Sequence, residues 1–218
     1  MRPGRAVFWA AFLACAGFLH FKNLGGTALW QDEAETAVLA RNVLRYGLPR
    51  TYDGKNLVSQ NEGTDHDANG VWNYSPWLGI YVAASSFLLF GESNLTARLP
   101  FALAGILPPL LVHRMSLKWS GRRLSADLTL WLTLLSVPYL LYARQCRYYI
   151  LTALFAFYLF YAYERMLEAR PTKGVHLITS LVGFFHSNFL VCFAAAGGVA
   201  AHFLLWAPHK ARLLRKNK

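Results

Sequence analysis

Apolar residues in this chain come in blocks, with polar residues confined to the connectors between them. The blocks run Ala6–Phe21, Ser75–Phe90, Leu99–Val112, Leu124–Tyr142, Ile150–Tyr163 and Val175–Trp206. A helix needs ~20 mostly apolar residues to cross a bilayer. Most of these blocks approach that length, and the last is long enough for two helices. It is expected to divide near His186-Ser187-Asn188. Pro108-Pro109 predicts a kink in the third block. The pattern is that of an all-α, polytopic membrane protein.

Between the first two blocks lies a polar stretch with turn signals at Asp53-Gly54, Glu62-Gly63 and Asn69-Gly70. Its first part, Leu29–Pro49, reads as an amphipathic helix. Ala34, Ala37, Val38, Ala40, Val43 and Leu44 recur at helical spacing. Gly47 stands where a left-handed cap would end the helix, and Pro49 prevents its resumption. The helix opens on three acids, Asp32, Glu33 and Glu35. Carboxylates in a first turn are explained on their own by the helix dipole and by capping. Their place beside a membrane surface adds a second explanation, chemistry.

Composition agrees with the block pattern: 55% of the 218 residues are hydrophobic and 15% aromatic, too many for a soluble domain. The net charge of +11 does not point to nucleic acid, because the basic residues sit in short connectors and form no basic face interleaved with exposed aromatics. It points to topology. If Ser75–Phe90 crossed the membrane, Arg114, Lys118, Arg122 and Arg123 would fall on the face that the positive-inside rule assigns to few cations. Trp77–Phe90 is therefore expected to dip into the outer interface without crossing. Six spans then follow, with both termini cytoplasmic in a plasma membrane. Of the 22 basic residues 14 lie inside, and of the 11 acids 8 lie outside. Residues 1–218 read as one membrane module, with a first extracytoplasmic loop at 22–98 and a transmembrane bundle at 99–206. Cys15, Cys146 and Cys192 are too scattered for a disulfide framework or a zinc site. Asp65-His66-Asp67 reads as a solvated loop, since three consecutive residues rarely converge on one ion.

On this topology two polar groups meet at the outer surface. One is the acid cluster. The other is Arg144, Arg147, Tyr148 and Tyr149, at the outer mouth of the third and fourth spans, which Arg98 and Lys55 could join. Arginine forks match phosphate oxygens. A carboxylate beside a phosphate site suits group transfer from a lipid phosphate, the acid taking a proton from the acceptor while the cations receive the leaving group. The alternative for the arginines is snorkelling toward headgroups.

Certain stretches resemble a known family. A first apolar helix is followed by W-x-D-E-A ending in G-L-P, and then by YSPWLGIYVAASSFLLFGESNLTARLPFALAGIL, of which FGES-x-x-x-ARLP is the most specific part. These, together with LTLLSVPYLLYARQCRYYILTALFAFYLFY, look like the N-terminal module of the GT-C glycosyltransferases. They are most similar to family 39, the protein O-mannosyltransferase and lipid A aminoarabinose transferase group. The likeness covers roughly Leu29–Glu164. It implies inverting sugar transfer from a polyprenyl-phosphate donor on the extracytoplasmic face, with Asp32 as base and Glu33 beside it in the site. Arg144, Arg147, Tyr148, Arg98 and Lys55 would bind the donor. ARQCRYY lacks the carboxylate that related oligosaccharyltransferases carry there, so a divalent metal is not indicated. Enzymes of this kind have further spans, so a C-terminal region or second subunit is expected to complete the chain. The alternative is a truncated or non-catalytic membrane subunit that keeps the fold and binds lipid phosphate.

Overall fold

The structure, a computed structural model, describes residues 3–59, 62–168 and 173–206. The expected cytoplasmic C-terminal run, KARLLRKNK, lies outside them. Ten α-helices form among the described residues: α1 Pro3–Phe21, α2 Gln31–Tyr46, α3 Leu78–Phe90, α4 Asn94–Ala104, α5 Leu107–Ser120, α6 Arg123–Leu134, α7 Val137–Ala143, α8 Tyr149–Leu167, α9 Lys173–Ser187 and α10 Phe189–Trp206. There is no strand among them, only three isolated antiparallel bridges within residues 50–72.

Four helical stretches are long and apolar enough to cross a membrane: Gly4–Phe21, Asn94–Ser120, Tyr149–Leu167 and Phe189–Trp206. The pair α6–α7, bent by 59°, makes a fifth if it is one span. The chain is thus a multi-pass helical membrane protein by length and composition. Its apolar surface agrees: Leu132, Leu190 and Leu204 are 63–73% exposed, a cost in water that vanishes against lipid. Six spans were expected. The sixth would be α9, whose 15 residues extend only about 22 Å at 1.5 Å per residue, short of a ~30 Å hydrocarbon core. The final apolar block does divide where expected, α9 ending at Ser187 and α10 beginning at Phe189.

Both helix breaks follow from proline. Pro109 has no N–H to give to the Gly105 carbonyl one turn back. The chain interrupts the helix at Gly105-Ile106, and the Tyr139 hydroxyl donates to that carbonyl instead. Likewise Pro138 cannot donate to Leu134, and α6 stops there before α7 resumes at the 59° bend.

The helix α3 is not among the stretches long enough to span. Its 13 residues reach about 20 Å, and both its ends are tied to α2. At one end the Tyr81 hydroxyl donates to the Gly47 carbonyl, and just past the other Glu92 pairs with Arg41. The two helices lie side by side around Leu39, Ala40, Ile80, Ala83 and Phe87. Gly47 closes α2 in the left-handed conformation, φ 76°, and the loop beyond folds back over the pair. Its core is Trp72, fully buried, whose N–H bonds the Pro49 carbonyl. Residues 22–98 thus form a folded cap on the face where α1 ends, while Arg5, Asp127 and His113 bond one another on the opposite face.

Candidate functional site

The acids of α2 and the α7–α8 connector do meet, and with Arg98 they make two adjoining ion clusters. Glu33 sits at the centre of the first. Its Oε1 accepts from Arg98 Nε and from the Cys146 backbone N–H, both at 2.8 Å. Its Oε2 accepts from Arg98 Nη2 at 2.6 Å and from the Trp30 N–H at 3.4 Å. A carboxylate has about four acceptor sites, and here all four are occupied, with Glu33 only 1% exposed.

Arg98 is equally committed. Beyond its fork on Glu33, Nη1 donates to the carbonyls of Leu24 and Thr27 and Nη2 to that of Ala28. All five of its N–H groups are used. One guanidinium therefore ties the exit of α1, the start of α2 and the first turn of α4 together. It also holds α4's beginning and α1's end on one face. Neither Glu33 nor Arg98 has a polar atom left for a ligand in this arrangement.

The second cluster is built on Arg147. Its Nη1 donates to Glu35 Oε1 at 2.7 Å and to Thr36 Oγ1 at 3.3 Å, and its Nη2 donates to Asp32 Oδ2 at 3.0 Å. Asp32 and Glu35 are three apart, hence on one helix face. Burial pushes the Glu35 carboxyl above its usual range, with Arg147 pulling it partly back. Burial also works against the Arg147 charge, but Glu35 and Asp32 outweigh it and hold its pKa above the ordinary value. Asp32 differs from both other acids. Its side chain is 24% exposed, and among the described residues nothing bonds its Oδ1. It is a carboxylate oriented through one oxygen and open at the other.

Tyr148 lies against this pair, its ring 5.6 Å from the Arg147 guanidinium and 4.7 Å from the Tyr149 ring. Burial, then the neighbouring Tyr149, raises its hydroxyl pKa. Arg144 points elsewhere. It donates to the Leu19 and Lys22 carbonyls and so caps the last turn of α1. Lys55 is not brought to the cluster. It is exposed in the Asp53–Asn56 turn, and among the described residues it bonds only through its backbone N–H, to Asp53. Asp65 turns inward and is fully buried, whereas Asp67 caps its own loop by accepting from Asn69 and Val71 N–H groups. No group of three or more His, Cys, Asp or Glu with metal-binding geometry occurs among the described residues.

Glu35 and Thr36 also belong to this cluster, through Arg147 Nη1. The sequence carries a signal for this, since Glu35 shares its face with Asp32. No family model matches this chain, and no curated protein or solved structure matches it.

Proposed function

We propose that this chain transfers a sugar from a polyprenyl-phosphate donor to an acceptor hydroxyl, on the membrane face where α1 ends. The carrying observation is Asp32: its Oδ2 is fixed by Arg147 while its Oδ1 bonds nothing among the described residues, beside the Arg147–Tyr148 pair. Asp32 Oδ1 takes the acceptor proton as the acceptor oxygen attacks the anomeric carbon. The bond from that carbon to the phosphate oxygen breaks, and its electron pair leaves on the phosphate. The configuration inverts. Arg147 is the cation placed to receive that charge, which requires it to exchange a carboxylate for the phosphate. Arg144 lies on the same face, and Tyr148 supplies a wall. Glu33 and Arg98 act by holding the frame. The fold this reading implies is of the GT-C type with six spans. The membrane is a plasma membrane with both termini cytoplasmic, and a further region or subunit supplies the acceptor side.

The test is Asp32→Asn, assayed with the completed enzyme at saturating polyprenyl-phosphate sugar. Turnover should fall by about 10²–10⁴-fold, the scale of lost acid–base catalysis, with folding retained. Wild-type turnover in Asp32→Asn would move the base elsewhere.

A second reading is a non-catalytic subunit that binds lipid phosphate. One observation favours it: the cavity beside Glu35, Arg147 and Tyr148 is about 10 Å³, room for roughly one water and not for a sugar. Binding of polyprenyl phosphate without turnover, in the presence of every other component, would establish it.

A further inference from the structure

On the opposite face of the bundle, two cavities share one residue, Arg114. The first is an apolar groove of about 450 Å³ between α5 and α8. Leu107, Leu110 and Leu111 line it from α5, and Leu154, Phe155 and Tyr158 from α8. The second is a polar pocket of about 320 Å³ just beyond it, where Lys118, Tyr161, Glu164, Arg165 and Glu168 gather around the same arginine. The spacings explain the continuity. Positions 107, 111, 114 and 118 share a face of α5, and 154, 158, 161 and 165 a face of α8.

The charges in the pocket are unevenly matched. Lys118 spans both acids, 3.4 Å from Glu164 and 3.0 Å from Glu168, and Glu164 also accepts from Trp119 Nε1. The two arginines have no carboxylate partner within ion-pair distance among the described residues. They flank the Tyr161 ring instead, Arg114 at 5.3 Å and Arg165 at 5.6 Å. Arg165 gives one bond to the Tyr161 hydroxyl, while its Nε is buried without a partner among the described residues. A buried N–H left unpaired is unfavourable, so an acceptor there is favoured.

Depth matches as well. Arg114 lies sixteen residues beyond Arg98 along the α4–α5 stretch, about 24 Å at 1.5 Å per residue. If Arg98 marks one boundary of the hydrocarbon layer, Arg114 stands near the other. Tyr158 and Tyr161 line the cavities beside it, as aromatic residues do at that level.

We propose that this groove and pocket are a binding site for one anionic phospholipid, drawn from the leaflet on the side where α1 begins. An acyl chain lies along the leucines of α5 and α8. The phosphate oxygens sit between Arg114 and Arg165, with Arg165 Nε as one of their donors. A free phosphate would gain the cations but leave the groove empty, and a zwitterionic lipid would fill the groove but bring its own cation to the two arginines. The proposal is independent of the sugar-transfer reading, which concerns the other face.

The experiment reconstitutes the full chain in nanodiscs of phosphatidylcholine with phosphatidylglycerol as the minor component. Lipid retained after release is then read by native mass spectrometry. The wild type should retain one phosphatidylglycerol, selected over phosphatidylcholine by about tenfold or more. Arg114→Gln and Arg165→Gln should each reduce that selection by about tenfold, given the strength of charge-assisted bonds. Arg114→Lys should fall between, keeping charge without the fork, and it serves as the reading if a glutamine variant fails to fold. Arg41→Gln, which removes an arginine from the opposite face, should select as the wild type does. Equal retention of the two lipids, or unchanged selection in both glutamine variants and in Arg41→Gln, overturns the proposal. So does displacement of the lipid by inorganic phosphate or glycerophosphoglycerol at matched concentration, which would make the pocket a simple anion site.

Discussion

Replacing Glu33 by Gln changes one atom's identity and should cost about as much stability as losing a large core side chain. Three of the bonds to Glu33 are 2.6–2.8 Å long, and the fourth, from Trp30, is 3.4 Å. Every group facing the carboxylate is a donor. Whichever way the glutamine amide is turned, its NH₂ points at another donor, Arg98 Nη2 in one orientation and the Cys146 N–H in the other. Arg98 is then a buried cation without its anion, a situation that typically costs 3–5 kcal/mol. We expect Glu33→Gln to lose about that much in reversible denaturant unfolding of the detergent-purified chain. Asp32→Asn breaks one bond at a partly exposed site and should lose about 1 kcal/mol or less. Arg98→Met should cost at least as much as Glu33→Gln, because it also orphans the Leu24, Thr27 and Ala28 carbonyls. The double variant should be less damaging than the sum by about 1–3 kcal/mol, the usual coupling of contacting residues. Additive losses, or a Glu33→Gln variant within 1 kcal/mol of wild type, would refute the closed ion knot.

Other consequences are independent of that knot. Gly105→Ala would place a Cβ 2.8 Å from Ala143 Cβ and 3.0 Å from His20 Nε2. It should lose about 1–3 kcal/mol by overpacking, and an unchanged unfolding midpoint would show that α1 and α7 can give way. The Asp53 carboxylate, held by the Asn56 and Lys55 N–H groups, titrates at about 2. Its pKa is depressed, so the support it gives the 53–56 turn is complete above the ordinary value of 3.8 and lost as pH falls through about 2. Amide shifts of Lys55 and Asn56 followed by NMR should share that midpoint, and a midpoint near 3.8 would break the assignment. Single cysteines at Asn94 and Ser120, in a background without Cys15, Cys146 and Cys192, should label from opposite sides of the membrane. Labelling of both from one side would mean that α4 and α5 do not form one span.

The helices were legible because they answer to local rules. Blocks of apolar residues, Gly47 before Pro49, and Pro108-Pro109 carry their meaning within a few positions. Charge bears on α3 too: only a non-crossing Trp77–Phe90 leaves Arg114 and Lys118 on the face of Arg5, which bonds His113 beside them. The number of spans was not. Whether α9 counts as one depends on where a helix stops, and hydropathy blurs that boundary when apolar residues continue through a break, as they do from α9 into α10.

The site shows a different limit. Asp32 and Glu33 are neighbours in sequence, and as text they form one acid pair. On a helix they diverge by about 100°. That angle sends Glu33 inward to Arg98 and the Cys146 N–H, and leaves Asp32 at the rim with Glu35 one turn on, both facing Arg147. The division of labour, one acid closed in structure and one open toward solvent, is therefore a consequence of helical geometry. The identity of the partners is not, since Arg98 and Arg147 arrive from 65 and 115 residues away. Arginine in a connector reads equally well as snorkelling, as phosphate binding or as an ion-pair partner. Only the count of donors already spent separates them: five for Arg98, and for Arg147 two amino groups engaged with Nε without a partner among the described residues. A ligand that takes Arg147 through its amino groups loosens either Asp32 or Glu35. Glu35 is the one whose charge burial already disfavours. Releasing Glu35 while Asp32 keeps its guanidinium is the exchange that would leave the base oriented when a phosphate arrives.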